Sequence, residues 1–314
     1  MHSVCAVIIT WNSESVVRGC LDSLVAEGSA VTGITVVDNA STDGTKEMIK
    51  DGYHAVTLIE NVENMGFAAA ANQGVRECGC EYVLLLNPDI SFEPGFVGAL
   101  ADTLKNNTEA GSASPRLVRP DGLLDSAGMA MQKSRKAVDR GRDEPDTGRY
   151  DAPGRVFGFC GAAVLLRRAM LEDAAVDGEY FDESFFAYKE DIDLAWRADL
   201  LGWKALYVPA SAAVHHRGWK VSGRKSMPRS LRLHSHKNRY LTIIKNDDPV
   251  NVLIHLPQIL FYELKLFAYS LFAEPFLFGA CLDIIRLLPD LLKKRRAVMG
   301  RRRLGPGGIR CLIG

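Results

Sequence analysis

The first 120 residues of the chain alternate between short apolar runs and segments of helical periodicity. Four apolar runs have the length of buried strands, at residues 4–10, 34–38, 56–60 and 82–87. Three helical segments lie between them, at residues 13–26, 42–50 and 67–78. Ser41 or Thr42 is a suitable N-cap for the second helix. The alternation predicts an α/β fold in which a mainly parallel sheet is covered by helices on both faces.

The pattern after residue 120 is less regular. Residues 120–155 are rich in Gly, Asp, Arg and Pro, and they predict a long surface loop of the kind that often carries function. The elements predicted next are a strand at 157–166, a helix at 190–201 that ends at Gly202, a strand at 204–208 and a helix at 228–245. We expect residues 1–245 to form the main domain and residues 246–314 to form a helical C-terminal extension.

This extension is apolar between residues 250 and 289, but Glu263, Lys265, Glu274 and Asp283 interrupt it. No uncharged stretch reaches the roughly 18 residues expected of a membrane-spanning helix. The pattern indicates amphipathic helices that either lie on a membrane surface or pack on the main domain. The sequence leaves both interpretations open.

Charge is distributed unevenly along the chain. Residues 1–200 carry 18 Lys and Arg against 32 Asp and Glu, whereas residues 201–314 carry 20 against 6. The basic part, with a cluster between Lys293 and Arg303, predicts a face that meets anions such as phospholipid or polyprenyl phosphate. Its lack of interleaved aromatic residues argues against nucleic acid as the partner.

The seven cysteines predict neither a disulfide framework nor a zinc site. Their number is odd and none forms a Cys-x-x-Cys pair, which fits a reducing compartment. The N-terminus enters a strand directly and lacks the basic flank and cleavage site of a secretory signal. We therefore expect a cytoplasmic protein, peripheral on the inner face of the cell membrane.

Acidic residues follow two of the predicted strands. Asp38 ends the second strand, where a carboxylate can accept a hydrogen bond from a nucleobase or a ribose hydroxyl. Asp89 follows the most apolar strand in Asn87-Pro88-Asp89 and is suited to Mg²⁺ or Mn²⁺ shared with a diphosphate. The alternatives are an N-cap or turn at Asp38 and an Asn-Pro-Asp turn at Asp89.

A second acidic group, Glu190-Asp191-Ile192-Asp193, opens the helix predicted at 190–201. Acidic residues favour a helix N-terminus through the helix dipole alone. However, Phe185, Phe186 and Tyr188 precede the group, and an apolar cleft would raise a carboxyl pKa toward that of a useful general base.

Two further motifs are candidates for binding. His215 follows a short strand and could complete a metal site with Asp89, although histidine pairs such as His215-His216 are more often surface features. The basic residues after it are Arg217, Lys220, Arg224 and Lys225. They could clamp a diphosphate, or they could form a solvated loop. Gly66 opens an alanine-rich helix, but the glycines match neither a dinucleotide fingerprint nor a P-loop.

In their order and spacing, these motifs resemble the family 2 glycosyltransferases, which are inverting enzymes of the GT-A fold, and especially bacterial rhamnosyltransferase-type members. The resemblance covers residues 3–245, roughly three quarters of the chain. The matching motifs are Ile9-Thr10-Trp11-Asn12, Val37-Asp38-Asn39-Ala40-Ser41, Asn64-x-Gly66-Phe67-Ala68, Asn87-Pro88-Asp89, Gly161-Ala162-Ala163, Glu190-Asp191-Ile192-Asp193 and Val214-His215.

The resemblance implies a role for each matching position. Donor nucleotide or sugar contacts are implied for Thr10, Trp11, Asn12, Asp38, Asn64, Phe67, Asn72, Asn87, Glu190 and Arg217. Asp89 and His215 would bind the metal, Asp191 would be the catalytic base, and the strand around Gly161 would face the acceptor. Asn87 stands where the family's metal motif usually begins with an acid, which reduces the charge available to the metal.

The activity implied is transfer of a sugar from a nucleotide diphosphate, with dTDP-rhamnose the first choice, to a cell-surface glycan or its polyprenyl-diphosphate-linked precursor. The methyl group of a 6-deoxy sugar would need an apolar patch, for which the candidates are Trp11, Phe67, Phe157 and Phe159. UDP-hexose and UDP-galactofuranose remain alternative donors, and homo-oligomerisation is left open.

Two rival interpretations come from other classes. A nucleotidyltransferase would show a Gly-rich basic phosphate loop near its N-terminus, where this chain has Thr10-Trp11-Asn12. A non-catalytic protein that binds a sugar nucleotide or a membrane would not need Asp89, Asp191 and His215 together.

Overall fold

The computed structural model describes residues 3–217 and 227–314. The strands are β1 (Val4–Thr10), β2 (Gly33–Asp38), β3 (Thr57–Glu60), β4 (Tyr82–Leu86), β5 (Ile90–Phe92), β6 (Ala110–Val118), β7 (Leu124–Ser126), β8 (Met129–Met131), β9 (Ala137–Asp139), β10 (Gly154–Val156), β11 (Ala163–Arg167) and β12 (Lys204–His215). The helices are α1 (Val17–Ala26), α2 (Thr45–Gly52), α3 (Phe67–Glu77), α4 (Phe96–Asn106), α5 (Arg168–Ala174), α6 (Glu190–Leu200), α7 (Arg229–Asn246), α8 (Pro249–Ile254), α9 (Leu256–Phe272), α10 (Gly279–Arg301) and α11 (Pro306–Arg310).

The central sheet has a parallel half and a mixed half. Its main path runs β10-β12-β6-β11-β4-β1-β2-β3, with β5 added to β12 and β7 to β6. Strands β1 to β4 pair in parallel, and β11 enters antiparallel between β4 and β6. The predicted α/β fold is confirmed. The antiparallel β11 brings the residues before it to the edge where β4 ends.

Helices cover both faces of this sheet. Side chains of α1 and α4 pack on one face, and those of α3, α5 and α6 pack on the other. The small residues of α3 allow a close approach, because a Cβ on Gly74 would lie 2.4 Å from Val7 Cγ1. Packing, more than intrinsic helix propensity, therefore holds α3 in place.

The predicted starts of the first two helices are wrong by several residues. Helix α1 begins at Val17 rather than residue 13, and α2 begins at Thr45 rather than residue 42. The intervening backbone connects the two loops instead, since Asn12 N donates to Ser41 Oγ and Ser13 N donates to Thr45 Oγ1, both at 2.8 Å. Neither Ser41 nor Thr42 is the N-cap, which is Gly44.

Residues 120–155 are not one surface loop. They contain β7, the β8–β9 hairpin and β10, and Leu124, Asp125 and Met131 are buried. Each strand has only three residues, which is too short for an alternating pattern to show in the sequence.

The strands on either side of α6 also differ from prediction. Strand β11 begins at Ala163, because Phe157 leaves the sheet to pack edge-on against Trp196 of α6. Strand β12 continues from Lys204 to His215 rather than ending at residue 208, with a shift in its pairing to β6 between Val208 and Ala212.

Cys5 and Cys78 form a disulfide, which the odd number of cysteines did not predict. The two Cα atoms are 5.9 Å apart because α3 ends beside β1, within the range that a disulfide can bridge. The pair is 73 residues apart in sequence, so no local spacing indicates it.

The C-terminal helices do not share one environment. Val298 of α10 and Ile309 of α11 join the core around Trp196, so these helices pack on the main domain. Helix α9 instead presents an apolar face to solvent, where five residues are more than half exposed: Leu260, Phe261, Leu264, Phe267 and Phe272. Within residues 3–217 and 227–314, no helix combines the length and apolar character needed to cross a bilayer.

Several residues of the basic cluster on α10 and after it contact the domain, although most of the cluster remains exposed to solvent. Arg295 donates to Ile244 O, Arg301 to the carbonyls of Asp173 and Ala175, and Arg303 Nη2 to Asp173 Oδ1. These contacts complement the acidic surplus of the first 200 residues. The uneven charge along the sequence is therefore partly neutralised within the fold.

A buried ion cluster joins three helices to the segment before α6. The ammonium group of Lys245 on α7 contacts the carboxylates of Asp182 and Asp193, and Lys294 of α10 lies 2.8 Å from Asp182. All four side chains are at most 7% exposed. Burial would raise the pKa of Asp182, but the charges of Lys245 and Lys294 lower it well below its usual range.

We expect Lys294→Ala to lower the free energy of unfolding by about 3–5 kcal/mol, because it leaves the buried Asp182 carboxylate with one cation fewer. Lys293→Ala is a matched control, since Lys293 is 67% exposed and pairs with the surface residue Asp177. The control should cost about 1 kcal/mol or less. Denaturant unfolding of both variants measures the difference, and equal losses would contradict the structural role of the cluster.

Candidate active site

The donor side of the site lies where β1 and β2 end. Asp38 is buried there and accepts hydrogen bonds from Thr10 Oγ1 at 2.9 Å, Ser41 N at 2.8 Å and Ser41 Oγ at 2.5 Å. Asn12 accepts from Thr42 N at 2.8 Å, and Trp11 is 52% exposed beside it. The sheet thus brings together four of the residues predicted to bind the donor, with Trp11 presented to solvent.

Asn64 and Gly66 shape the loop that leads into α3. Asn39 Nδ2 donates to Asn64 Oδ1 at 3.0 Å and to Gly66 O at 3.1 Å. Gly66 has φ +85°, and a Cβ there would lie 2.6 Å from the Phe186 ring and carbonyl. A glycine is therefore required by both its backbone conformation and the close contact with Phe186.

Asn72 is placed differently from the expectation that it lines the pocket. It is fully buried, and its amide donates to Phe181 O at 2.8 Å and Glu183 Oε1 at 2.9 Å while accepting from Phe181 N. Asn72 therefore anchors the segment before α6. Phe67 packs edge-on against the Phe181 ring.

The candidate metal ligands meet on the other side of the site. Asp89 follows β4 and His215 ends β12, and strand β5 pairs with β12 to hold the two together. Asp89 Oδ1 lies 3.3 Å from His215 Nε2. Asn87, the first residue of the same motif, donates its backbone N–H to Ala162 O at 2.8 Å.

Asp125 orients this histidine and was not identified from the sequence. Its buried carboxylate lies 2.7 Å from His215 Nδ1, 2.7 Å from Arg217 Nε and 2.9 Å from Arg217 Nη2. Burial would raise the pKa of Asp125, but the hydrogen bonds from His215 and Arg217 lower it to about 2. A signal was present, since Asp125 follows the apolar pair Leu123-Leu124 as Asp38 and Asp89 follow their strands.

The guanidinium group of Arg217 is therefore paired with Asp125 rather than available to clamp a diphosphate. Burial would lower the pKa of His215, but its hydrogen bonds to Asp125 and Asp89 raise it. The other predicted clamp residues, Lys220, Arg224 and Lys225, lie outside the described residues.

The donor atoms of Asp89 and His215 fit a divalent metal in part. Adjacent ligands of an octahedral Mg²⁺ or Mn²⁺ are about 3 Å apart, which Asp89 Oδ1 and His215 Nε2 approach, and Asp125 gives the histidine the usual carboxylate partner. Within the described residues, no group of three or more His, Cys, Asp and Glu converges as a metal site. Among the described residues, Asp89 and His215 would therefore be the ligands, and a diphosphate and water would have to supply the rest.

Asp191 is held at the start of α6 by two backbone donors. Its Oδ2 accepts from Gly161 N at 3.0 Å and its Oδ1 accepts from Ile192 N at 2.8 Å. Gly161 comes close enough that a Cβ would lie 3.2 Å from Asp191 Oδ2. Burial raises the pKa of Asp191, although these backbone hydrogen bonds oppose the shift.

The neighbouring carboxyl group of Glu190 differs in environment. It is 7% exposed, and its Oε2 is buried without a hydrogen-bond partner. Burial, with the adjacent charge of Asp191, raises the pKa of Glu190 to about 8. Burial and mutual repulsion favour one shared proton on this pair of carboxyl groups, and the backbone hydrogen bonds to Asp191 make Glu190 the favoured group to hold it.

The backbone of the segment before Glu190 is strained, and a side chain of another helix holds it in place. Phe186, Tyr188 and Lys189 have φ between 62° and 71°, which side chains other than glycine adopt at a cost. Asn238 of α7 fixes this conformation, because its Nδ2 lies 2.7–2.9 Å from the carbonyls of residues 185, 187 and 188. The sequence did not identify Asn238, which lies within an otherwise basic helix.

Two of the four residues proposed for an apolar sugar patch are in the core. Phe159 is fully buried and Phe157 is 3% exposed. Trp11 and Phe67 are the two that retain exposed surface.

An α/β sheet with acidic residues at the ends of its strands is the architecture of the GT-A class of enzymes. The sequence profile of glycosyl transferase family 2 matches residues 5–174, more than half of the chain. The chain belongs to glycosyl transferase family 2.

Individual relatives agree with this assignment. The chain is 28% identical over 262 residues to N-acetylglucosaminyl-diphospho-decaprenol L-rhamnosyltransferase of Mycobacterium tuberculosis, covering 75% of this chain and 82% of that protein. Its fold is similar to that of S. aureus TarS 1–349 in complex with UDP, at 17% identity and a TM-score of 0.59 over 99% of this chain and 90% of that one. It is also similar to the mannosyltransferase PcManGT from Pyrobaculum calidifontis in complex with GDP-Man and Mn²⁺, at 18% identity and a TM-score of 0.53 over 98% and 85% of the two chains.

Proposed function

We propose that this glycosyltransferase inverts the anomeric centre and moves L-rhamnose from dTDP-rhamnose to a hydroxyl of a lipid-linked precursor of a cell-surface glycan. The observation that carries the proposal is the position of Gly161-Ala162. Gly161 N binds Asp191, and Ala162 O binds Asn87 at the start of the Asn87-Pro88-Asp89 motif. One dipeptide therefore sets the candidate base beside the candidate diphosphate site.

This arrangement suits a single displacement. Asp191 accepts the proton of the acceptor hydroxyl as its oxygen bonds to the anomeric carbon, and the bond from that carbon to the diphosphate breaks. The Gly161 and Ile192 amides hold the Asp191 carboxylate in place, so little reorganisation accompanies the reaction. Attack from the face opposite the diphosphate gives inverted configuration.

Asp89 and His215 would hold Mg²⁺ or Mn²⁺, and that ion would neutralise charge on the departing diphosphate. PcManGT, which shares the fold, was solved with Mn²⁺. Asp125 keeps the imidazole of His215 oriented with Nε2 toward Asp89.

The choice of rhamnose and of a lipid-linked acceptor rests on the mycobacterial relative, whose name contains both. Trp11, half-exposed at the donor side, and Phe67 at the start of α3 are the residues we propose for the 6-deoxy methyl group. Thr10, Asn12, Asp38 and Asn64 would surround the nucleotide, with Asp38 shaping the loop through Ser41.

The test offers the purified chain dTDP-rhamnose, UDP-glucose, UDP-galactose and UDP-galactofuranose together with a polyprenyl-diphosphate-linked acceptor. We expect preference for dTDP-rhamnose and inversion at the anomeric carbon, read by NMR of the product. Preference for a UDP-sugar by more than tenfold would overturn the donor, and retention would overturn the mechanism.

Variants at two adjacent residues, Asp191 and Glu190, test which carboxyl group is the general base. Asp191→Asn should lower turnover by about 10²–10⁴-fold, the usual contribution of a general base. Glu190→Gln should keep most of the turnover at pH 7, because the wild-type carboxyl, with a pKa of about 8, is already mostly neutral there. The reverse ranking would make Glu190 the base.

For the metal, we expect a chelator to suppress transfer and Mg²⁺ or Mn²⁺ to restore it. Asp125→Asn should raise the metal concentration needed for half-maximal rate by about 10–100-fold, since it removes the carboxylate that orients His215. Asp121→Asn, at a surface carboxylate close by in sequence, is the control. Full activity in chelator would remove the ion from the mechanism.

We also propose that α9 binds the inner face of the membrane through its apolar side, which would bring the enzyme to a lipid-linked acceptor. Phe261→Glu with Leu264→Glu should abolish flotation of the protein with liposomes. Val62→Glu is the control, because Val62 is a fully exposed apolar residue on the main domain. Failure of the wild-type chain to float would contradict this location.

A further inference from the structure

An open cavity lies between the start of α7 and the chain that follows α9. Its volume is about 520 Å³, and its walls are formed by Arg229, Arg232, Ala273, Glu274, Pro275 and Phe276. Arg229, Ala273 and Pro275 are exposed, so this arginine cavity is accessible from solvent. None of its lining residues belongs to the candidate active site described above.

Two guanidinium groups meet at one aromatic ring in the arginine cavity. The Cζ atoms of Arg229 and Arg232 lie 5.7 and 5.1 Å from the centre of the Phe276 ring. Stacking on a ring holds a guanidinium group in place and leaves the N–H groups at its edge able to donate. The ring thus brings two positive charges together, an arrangement that a bound anion would stabilise.

Only part of this positive charge is balanced by the lining residues themselves. Arg232 pairs through Nη1 with the carboxylate of Glu274, and the two side chains are 12% and 5% exposed. Arg229 is exposed and contacts the Phe276 ring, and within the part of the chain that the structure describes no carboxylate pairs with it. Two arginines against one glutamate leave the walls of the cavity with a net positive charge, which Arg229 presents to a ligand.

Helix α7 connects the arginine cavity with the candidate base. His234 stacks on the Phe186 ring, with centres 4.9 Å apart, and Asn238 binds the backbone of the same segment before α6. Six residues separate Arg232 from Asn238, which is about 9 Å along a helix that rises 1.5 Å per residue. The cavity therefore lies less than two helical turns from the point where α7 supports the start of α6.

Apolar surface borders the arginine cavity on its other side. Ala273 in its wall follows Phe272, which is 83% exposed at the end of α9. Phe278 is 38% exposed at the end of the turn Pro275–Phe278, and it packs edge-on against Phe267 on the apolar side of α9. The order along the protein is therefore carboxyl groups at α6, arginines in the cavity and apolar residues on α9.

A polyprenyl-diphosphate-linked sugar has the same order, with a sugar that bears hydroxyls, then a diphosphate, then a hydrocarbon chain. We propose that the arginine cavity binds the diphosphate of the acceptor, with Arg229 as its main ligand and Arg232 as a second donor. Guanidinium groups suit this role because their fork of N–H donors matches phosphate oxygens. The inference rests on the proposed transfer to a lipid-linked acceptor and deepens it, because it assigns the site that recognises that acceptor.

The experiment compares two acceptors that present the same N-acetylglucosamine unit, the sugar in the name of the mycobacterial relative. One carries it on a polyprenyl diphosphate and the other on an alkyl chain without phosphate. In Arg229→Ala, the KM for the diphosphate-linked acceptor should rise by about 10–100-fold, the usual effect of losing a charge-assisted hydrogen bond. The KM for the alkyl glycoside should keep its wild-type value, as should hydrolysis of the donor without acceptor.

Two further variants separate recognition of the diphosphate from a general effect of charge. Arg229→Lys keeps the charge but not the planar fork, and it should recover part of the lost affinity. Arg286→Ala is the matched control, because Arg286 is 77% exposed on α10 outside the cavity. It removes the same charge and should leave both KM values unchanged. The unfolding midpoint of Arg229→Ala should equal that of the wild type, since the side chain is exposed.

Flotation with liposomes of anionic phospholipid distinguishes the acceptor from bulk lipid head groups as the source of the phosphate. We expect Arg229→Ala to float as the wild type does. Loss of flotation with an unchanged KM would assign the cavity to phospholipid head groups and overturn the proposal. An equal rise in KM for both acceptors would also overturn it, because the diphosphate would then not be what Arg229 recognises.

Absence of transfer to either acceptor by the wild-type enzyme, from every donor, would overturn the proposed function and this inference with it. The two failures are distinguishable, because failure of the inference alone is seen in an active enzyme, whereas failure of the proposed function is seen before any variant is made.

Discussion

The position of α6 and of the segment before it depends on the buried ion pairs of Lys245. The ammonium group lies between Asp182, which precedes the strained segment, and Asp193, in the first turn of α6. Arg197 and Asn246 bind the same Asp193 carboxylate at 3.0 and 2.8 Å. A buried carboxylate is stable only when it is paired, so the orientation of α6 is coupled to α7 and, through Lys294, to α10. This network therefore fixes the position of Asp191 at the start of α6.

The same constraint explains why a strained segment persists. Phe186, Tyr188 and Lys189 could relax if the residues on either side were free to move. Asn238 binds the carbonyl groups of residues 185, 187 and 188 from one side, while Asn72 binds Phe181 and Gly66 meets Phe186 from the other. Local strain is maintained when its surroundings determine it in this way, and such segments concentrate at functional sites.

The parallel half of the fold could be predicted from sequence because its signals are local. Strands β1 to β4 are runs of four to seven residues, Asp38 ends β2, and Asp89 lies in the turn after β4. The mixed half of the sheet could not be predicted, because its signals are not local. Strands β7 to β10 have three residues each, and Asp125 and Asn238 acquire their contacts from residues more than 40 positions away in the sequence. Asp191, Gly161 and His215 were found as motif positions, but only the fold shows which amide or carboxylate holds each one.

The antiparallel entry of β11 separates the parallel half of the sheet from its mixed half. Thr10 and Asp38 end β1 and β2, Asp89 follows β4, and these three strands form a parallel ladder that β11 adjoins along β4. Beyond that seam, short strands and connections make up residues 119–160, and many of their side chains between 143 and 155 face solvent. Changes confined to residues 143–155 would leave both the parallel ladder and the contact between Asp125 and His215 undisturbed. Exchanging only these residues between relatives is therefore a rational route to chimeric enzymes.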